Sequence, residues 1–190
     1  MSHPWRSEPG IALLAPVATV EQAAAAAAAG AGMVDAGDDA ALVPAIRRAV
    51  SGMRVCGEHE DADLMRDADL AARTGAALIC PGADAAEAAA RRGVAAGRIL
   101  VQAAPAGIEA VVRAGWPVLA DLEGLADLEG GAELGGAAGL ARTEAAAAVC
   151  AWLGASVLRT RHVAKVRRCA DMTEAILGRR PPVWAVRGLA

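Results

Sequence analysis

A chain of 190 residues with 55% hydrophobic content carries enough apolar surface for one domain and is not a disordered segment. A formal net charge of −3 gives no basic field for nucleic acid, and no apolar run reaches the roughly 18 residues of a membrane span. The aromatic content is 2%, all of it Trp, so the core must rest on Ala, Val, Leu and Ile, and an alanine core buries little area per residue.

Residues 1–9, with Pro4 and Pro9, read as a loose leader to a single domain over residues 10–190. The apolar segment at 11–20 is interrupted by Pro16 and preceded by Glu8 instead of a basic cluster, so it is not read as a secretory signal. From there short apolar runs alternate with Ala-rich amphipathic stretches. Strands are predicted at 11–15, 32–36, 53–56, 77–80, 98–102, 117–121 and 156–160, and helices at 21–29, 41–51, 64–73, 85–92, 107–114 and 143–152. Gly30, Gly75, Gly93 and Gly115 stand where those helices should stop in a left-handed cap, and Thr143 with Glu144 reads as a helix start. Gly30-Ala31-Gly32 follows a helix and precedes a strand, the reverse of a nucleotide-binding turn, so it is read as a helix stop. The Gly-rich stretch 123–141 reads as a flexible insertion or as a mobile lid after the strand at 117–121.

Evenly strung strand–helix units with short connections imply a parallel sheet, and the fold class read from them is α/β, a TIM-like (β/α) barrel. A full barrel typically needs about 250 residues, so a shortened one with about seven strands is expected. Cys56, Cys80, Cys150 and Cys169 include no C-x-x-C pair and read as reduced thiols of a cytoplasmic protein. Lys165 is the sole lysine, so any chemistry that needs a lysine must use it.

The segment Gly154-Ala155-Ser156-Val157-Leu158-Arg159-Thr160-Arg161-His162-Val163 resembles the last strand of the dihydropteroate synthase (pterin-binding) family, which shows Gly-Ala, an apolar strand and Arg-x-His-Asp-Val. Gly115-Trp116-Pro117-Val118-Leu119 is similar to that family's Gly-x-Pro-Val-Leu, Gly32-Met33-Val34-Asp35-Ala36-Gly37 to its second-strand Asp-x-Gly, and Gly75-Ala76-Ala77-Leu78-Ile79-Cys80 to its fourth strand. On this resemblance the stretch between Ile79 and Arg98 is too short for a fifth strand with its helix, unless 83–90 takes that strand's place.

The family joins a pterin pyrophosphate to an aminobenzoate, and the resemblance implies which polar groups this chain has kept and lost. The family's asparagine loop after the first strand is Ala15-Pro16-Val17-Ala18 here. Its third-strand Asp-Thr is Cys56-Gly57, its fourth-strand Asn-Asp is Cys80-Pro81, its sixth-strand Asp-Pro-Gly is Gln102-Ala103-Ala104, and its seventh-strand Ser-Arg-Lys is Glu123-Gly124-Leu125. A thiol cannot make the paired hydrogen bonds that a carboxylate offers an aminopterin edge. Asp35, Cys56, Cys80, Gln102, Asp121 and Glu123 are therefore expected to form a vestigial pterin pocket without synthase activity. Arg159, Arg161 and His162 are expected to hold an anion, since residues 159 and 161 share one side of a strand and guanidinium groups grip phosphate or carboxylate bidentately. The same arginines could instead pair with acids such as Asp35 or Asp121.

Four further features have bland readings. Glu58-His59-Glu60-Asp61 has a single imidazole and reads as a solvated helix start, so no metal is expected. Cys56 and Cys80 would be neighbours if their strands pair, as a thiol pair, a soft-metal site or two structural thiols. Trp116, Trp152 and Trp184 read as core or interface anchors, and the tail from Arg179 to Trp184 as a partner contact or a wrapped terminus. No cofactor is expected.

Family synthases resemble homodimers built through their C-terminal helices. The expected partner is thus a second copy or a related synthase, meeting residues 143–152 and 165–177, with a phosphate-bearing small molecule as possible ligand and neither nucleic acid nor membrane. Two other functions stay open: a repurposed barrel enzyme acting on a phosphorylated or carboxylated molecule, with Glu123, Asp121 or Asp35 as acid or base, and a true synthase with a remodelled pocket.

Overall fold

Side chains alternate across each short strand, and the alternation divides the apolar residues into two cores. Leu14, Met33, Cys56, Leu64, Leu100 and Leu119 belong to a cluster inside a ring of strands. Leu13, Val34, Val55, Met65, Leu78 and Leu158, one residue away in sequence, belong to a larger cluster between that ring and the helices. The computed structural model describes residues 10–123 and 137–180. The leader, most of the Gly-rich stretch and Trp184 lie outside the described residues.

The described elements are β1 (Ala12–Pro16), α1 (Val20–Ala28), β2 (Met33–Asp35), α2 (Leu42–Ala49), β3 (Arg54–Cys56), β4 (Leu64–Met65), α3 (Ala68–Thr74), β5 (Ala77–Cys80) and α4 (Ala83–Arg91). They continue through β6 (Ile99–Gln102), α5 (Pro105–Arg113), β7 (Val118–Asp121), α6 (Ala137–Leu153), β8 (Val157–Arg159) and α7 (Val163–Ile176). The strands close in sequence order into an eight-stranded barrel, β1 pairing in parallel with both β2 and β8. The TIM-like class read from the sequence is the architecture found. The barrel is closed, however, and has one strand more than expected.

The extra strand is β4. Residues 64–73 were expected to be one helix, but Leu64 and Met65 pair with β3 and β5, and the helix starts only at Ala68. The carboxylate of Asp67 accepts the N–H groups of Asp69 and Leu70, which caps α3 and separates it from the strand. Residues 83–91 are helical, so they replace no strand. Thr143 is not a helix start. It is buried within α6, where its hydroxyl donates to the Gly139 carbonyl.

Alanine sets how the helices sit. Ala23, Ala86, Ala89, Ala147, Ala151 and Ala170 are buried in the outer cluster, where a methyl-sized side chain lets helix and strand backbones approach closely. Gly75 ends α3 at φ 74°, in the left-handed region that costs glycine least. At the base of the barrel the buried Glu174 carboxylate accepts the Ile11 N–H at 3.0 Å, and Arg167 donates to the Ile11 carbonyl at 2.8 Å. These bonds tie the last helix to the first strand and secure the ring where it closes. No helix among the described residues is long and apolar enough to cross a membrane.

Candidate functional site

The strand period of two that builds the inner core also places a polar layer above it, at the C-terminal ends of the strands. Asp35 follows Met33, Asp121 follows Leu119, Arg159 follows Val157 and Arg66 follows Leu64, each two positions on. The Asp35 side chain is 1% exposed and is gripped from two sides. Arg66 Nη2 donates to its Oδ2 at 2.7 Å, and Arg159 Nε donates to the same oxygen at 3.0 Å. The Gly37 N–H donates to Oδ1 at 3.1 Å, and Arg159 Nη1 reaches on to Asp121 Oδ2 at 3.2 Å.

Burial alone would raise the Asp35 carboxyl. The Arg66 hydrogen bond and charge, the Gly37 amide and the Arg159 charge outweigh it, so Asp35 titrates below the usual aspartate range. Two arginines and two aspartates thus satisfy one another at the barrel mouth. Arg159 pairs with the two acids that the sequence offered as its alternative partners.

The other expected residues are dispersed. Cys56 shares the inner face, and burial together with the Asp35 charge pushes its thiol up to about 12. Cys80 packs in the outer cluster, on the far side of its strand from Ile79, and β4 lies between the strands of the two cysteines. They are therefore not neighbouring strand ends and do not face each other. Burial pushes Cys150, on α6, up to about 11. At pH 8, alkylation of the native protein is expected to leave Cys56 and Cys150 unmodified until urea unfolds the chain, read by mass spectrometry of the labelled peptides. Fast labelling of native Cys56 would show that the mouth opens.

Gln102 ends β6 exposed. Glu123 accepts the Arg161 N–H at 2.8 Å and the Thr160 hydroxyl at 3.4 Å, so its carboxylate holds the backbone after β8. The Arg161 guanidinium sits 3.7 Å from Glu123 Oε2 and is 73% exposed, an ion pair that contributes little. His162 is the N-cap residue of α7 but makes no side-chain cap. In the turn between β3 and β4, Glu58 accepts the Arg66 N–H and His59 Nδ1 accepts the Asp61 N–H; the segment is not a helix start. No group of three or more potential metal ligands occurs among the described residues.

Arg159, Arg161 and His162 all line one cavity of about 790 Å³ between the barrel mouth, α1 and the start of α7. Lys165 lines it as well and has no ion pair among the described residues. The sequence reading placed three of these four residues at an anion site and missed Arg66 altogether. Arg66 was assigned to a helix, and only recognition of β4 would have turned it toward the mouth.

No protein-family model matches the chain. It is 35% identical over 83 residues to a Mycobacterium leprae protein named inactive dihydropteroate synthase 2, covering 44% of this chain and 28% of that one. The protein of the same name from Mycobacterium tuberculosis is 39% identical over 80 residues, 42% of this chain and 25% of its own length. The chain thus matches only about a quarter of the length of these curated relatives. Among solved structures, Mycobacterium tuberculosis Rv1207 superposes with a TM-score of 0.74 at 25% identity, covering 93% of this chain and 95% of that one. The dihydropteroate synthase of Yersinia pestis shares the fold, with a TM-score of 0.70 at 15% identity over 89% and 93% of the two chains.

With eight strands counted, residues 77–80 form the fifth strand and not the fourth, and the residues that follow the fourth strand are Arg66-Asp67 in place of Cys80-Pro81. There Asp67 caps α3, and Arg66 carries the guanidinium that grips Asp35.

Proposed function

Starting from a chain that is a degenerate dihydropteroate synthase-like protein, we propose that it has no synthase activity and serves as an anion-binding accessory subunit paired through α6 and α7. The observation that carries this reading is Arg66. Its guanidinium, just past the fourth strand at the barrel mouth, is spent on Asp35, so the mouth offers its polar groups to itself. The carboxylate expected at the end of the third strand is the thiol of Cys56, held protonated. The sole lysine stands at the rim of the neighbouring cavity, on α7.

Residual anion binding uses Arg159, Arg161 and His162 at the cavity beside the mouth, and suits a phosphate-bearing small molecule in the cytoplasm. Pairing is supported by an apolar groove of about 340 Å³ between α6 and α7, lined by Val149, Trp152, Met172 and Ile176. These are 51%, 57%, 58% and 67% exposed, more large apolar surface than a lone helix pair usually leaves to water. A second copy or a related synthase is the partner.

The test is incubation of the purified protein with 6-hydroxymethyl-dihydropterin pyrophosphate and p-aminobenzoate. No dihydropteroate is expected, alone or at raised substrate, and product formation would end the reading.

A further inference from the structure

We infer that the cavity beside the barrel mouth is the site of an amphipathic anion, a phosphate or carboxylate carrying an aliphatic group, whose apolar part lies between α1 and α7. This rests on the anion-binding reading above and names the ligand class of that site.

The volume is the first ground. About 790 Å³ falls in the range of pockets that take small organic ligands, and a bare phosphate would fill little of it. The lining is the second, because it joins basic side chains to an apolar wall. Arg159, Arg161, His162 and Lys165 gather where β8 passes into α7. The apolar lining residues are Val17, Ala25, Ala26 and Ala29, in or beside α1, with Val163 and Ala164 between His162 and Lys165. Ala25 on α1 and Ala29, its C-cap residue, stand one turn apart and both line the cavity.

The third ground is which groups are already engaged. Asp35 lines the cavity, but its charge is answered by Arg66 and Arg159, so it does not repel an anion as a bare carboxylate would. The Gln22 side-chain oxygen accepts the Ala18 N–H and is used within the wall. Lys165 and His162 have no ion pair among the described residues, and the Arg161 pair is exposed and long. A free positive end and a satisfied apolar body match a ligand with one anionic head and one hydrocarbon arm.

Calorimetric titration with methyl phosphate and with octyl phosphate, below its micelle concentration, tests this. Each buried methylene is worth about 0.8 kcal/mol, so octyl phosphate should bind at least roughly tenfold more tightly than methyl phosphate even if only two or three methylenes reach the slot. In the Ala25→Leu, Ala29→Leu double variant, whose larger side chains fill the α1 wall without touching the cations, that advantage should disappear and methyl phosphate affinity should hold. Ala25 is exposed and Ala29 is half-buried against the outer cluster, so circular dichroism and urea unfolding check that the variant keeps its fold, and the single Ala25→Leu variant serves where the double one does not. Equal affinity for the two phosphates would overturn the slot and leave the anion site standing. An advantage that survives in the double variant would place the octyl chain elsewhere and also overturn it. No binding of either phosphate would remove the anion site and this inference together.

Discussion

Replacing Asp35 with Asn should lower the stability of this protein by about 2–4 kcal/mol at pH 7, measured by urea unfolding. Removing one partner of a fully buried ion pair costs about 3–5 kcal/mol, because the other charge is left without compensation. Here two guanidiniums lose the same carboxylate, but Arg66 is 41% exposed and keeps water, and Arg159 keeps Asp121. The expected cost is discounted accordingly. Asn preserves the shape, so little of the effect is packing.

The pH dependence separates charge from shape. The folded-state carboxyl titrates below its unfolded value of about 3.9. Its stabilisation is therefore complete above that unfolded value and is lost as pH falls through the lower folded one. The gap between the parent protein and Asp35→Asn should stay constant from pH 7 to pH 5 and close below about pH 4. A gap that persists where the carboxyl is protonated would assign the loss to packing, and the mouth would not be held by charge.

The second large effect concerns pairing. In a two-fold dimer the same patch appears on both copies, so one substitution removes two contacts. Trp152→Ser should weaken self-association by at least about 2 kcal/mol, roughly thirtyfold, as expected for a central Trp anchor. Adding Met172→Ser should leave only single chains at micromolar concentration in sedimentation equilibrium. Trp152 is 57% and Met172 58% exposed in the single chain, so these substitutions should change its own stability by no more than about 0.5 kcal/mol. A parent protein that sediments as one chain, both alone and mixed with a related synthase, would contradict pairing.

Much of the barrel was legible because its strands are short apolar runs between glycine-terminated helices. Residues 77–80 match the observed strand to the residue, and most other strands differ by a residue at either end. β4 was not legible. Leu64 and Met65 are two apolar residues between Asp63 and Arg66, too few to show a period, and Leu70 and Ala71 beyond them extend the helical pattern backward. Their strand identity comes from pairing with β3 and β5, which is tertiary information.

That one miss propagated to the site. It hid Arg66, gave the fourth-strand position to residues of the fifth strand, and made Cys56 and Cys80 look adjacent. The face of Cys80 could have been read from the strand period. Ile79 belongs to the inner cluster, so its neighbour must face the helices. The engagement of Arg159 with Asp35 and Asp121 was foreseen as an alternative. No sequence signal fixed the choice, since an arginine beside two acids can equally bind a ligand or its neighbours.

The most direct test of the central claim is calorimetric titration with 6-hydroxymethyl-dihydropterin pyrophosphate against pyrophosphate alone. If Arg66 has closed the pterin pocket and only the anion site remains, the two ligands should bind with the same affinity within about threefold. A preference of tenfold or more for the pterin compound, about 1.4 kcal/mol, would mean that a pterin pocket persists and that the mouth is not closed to the ring.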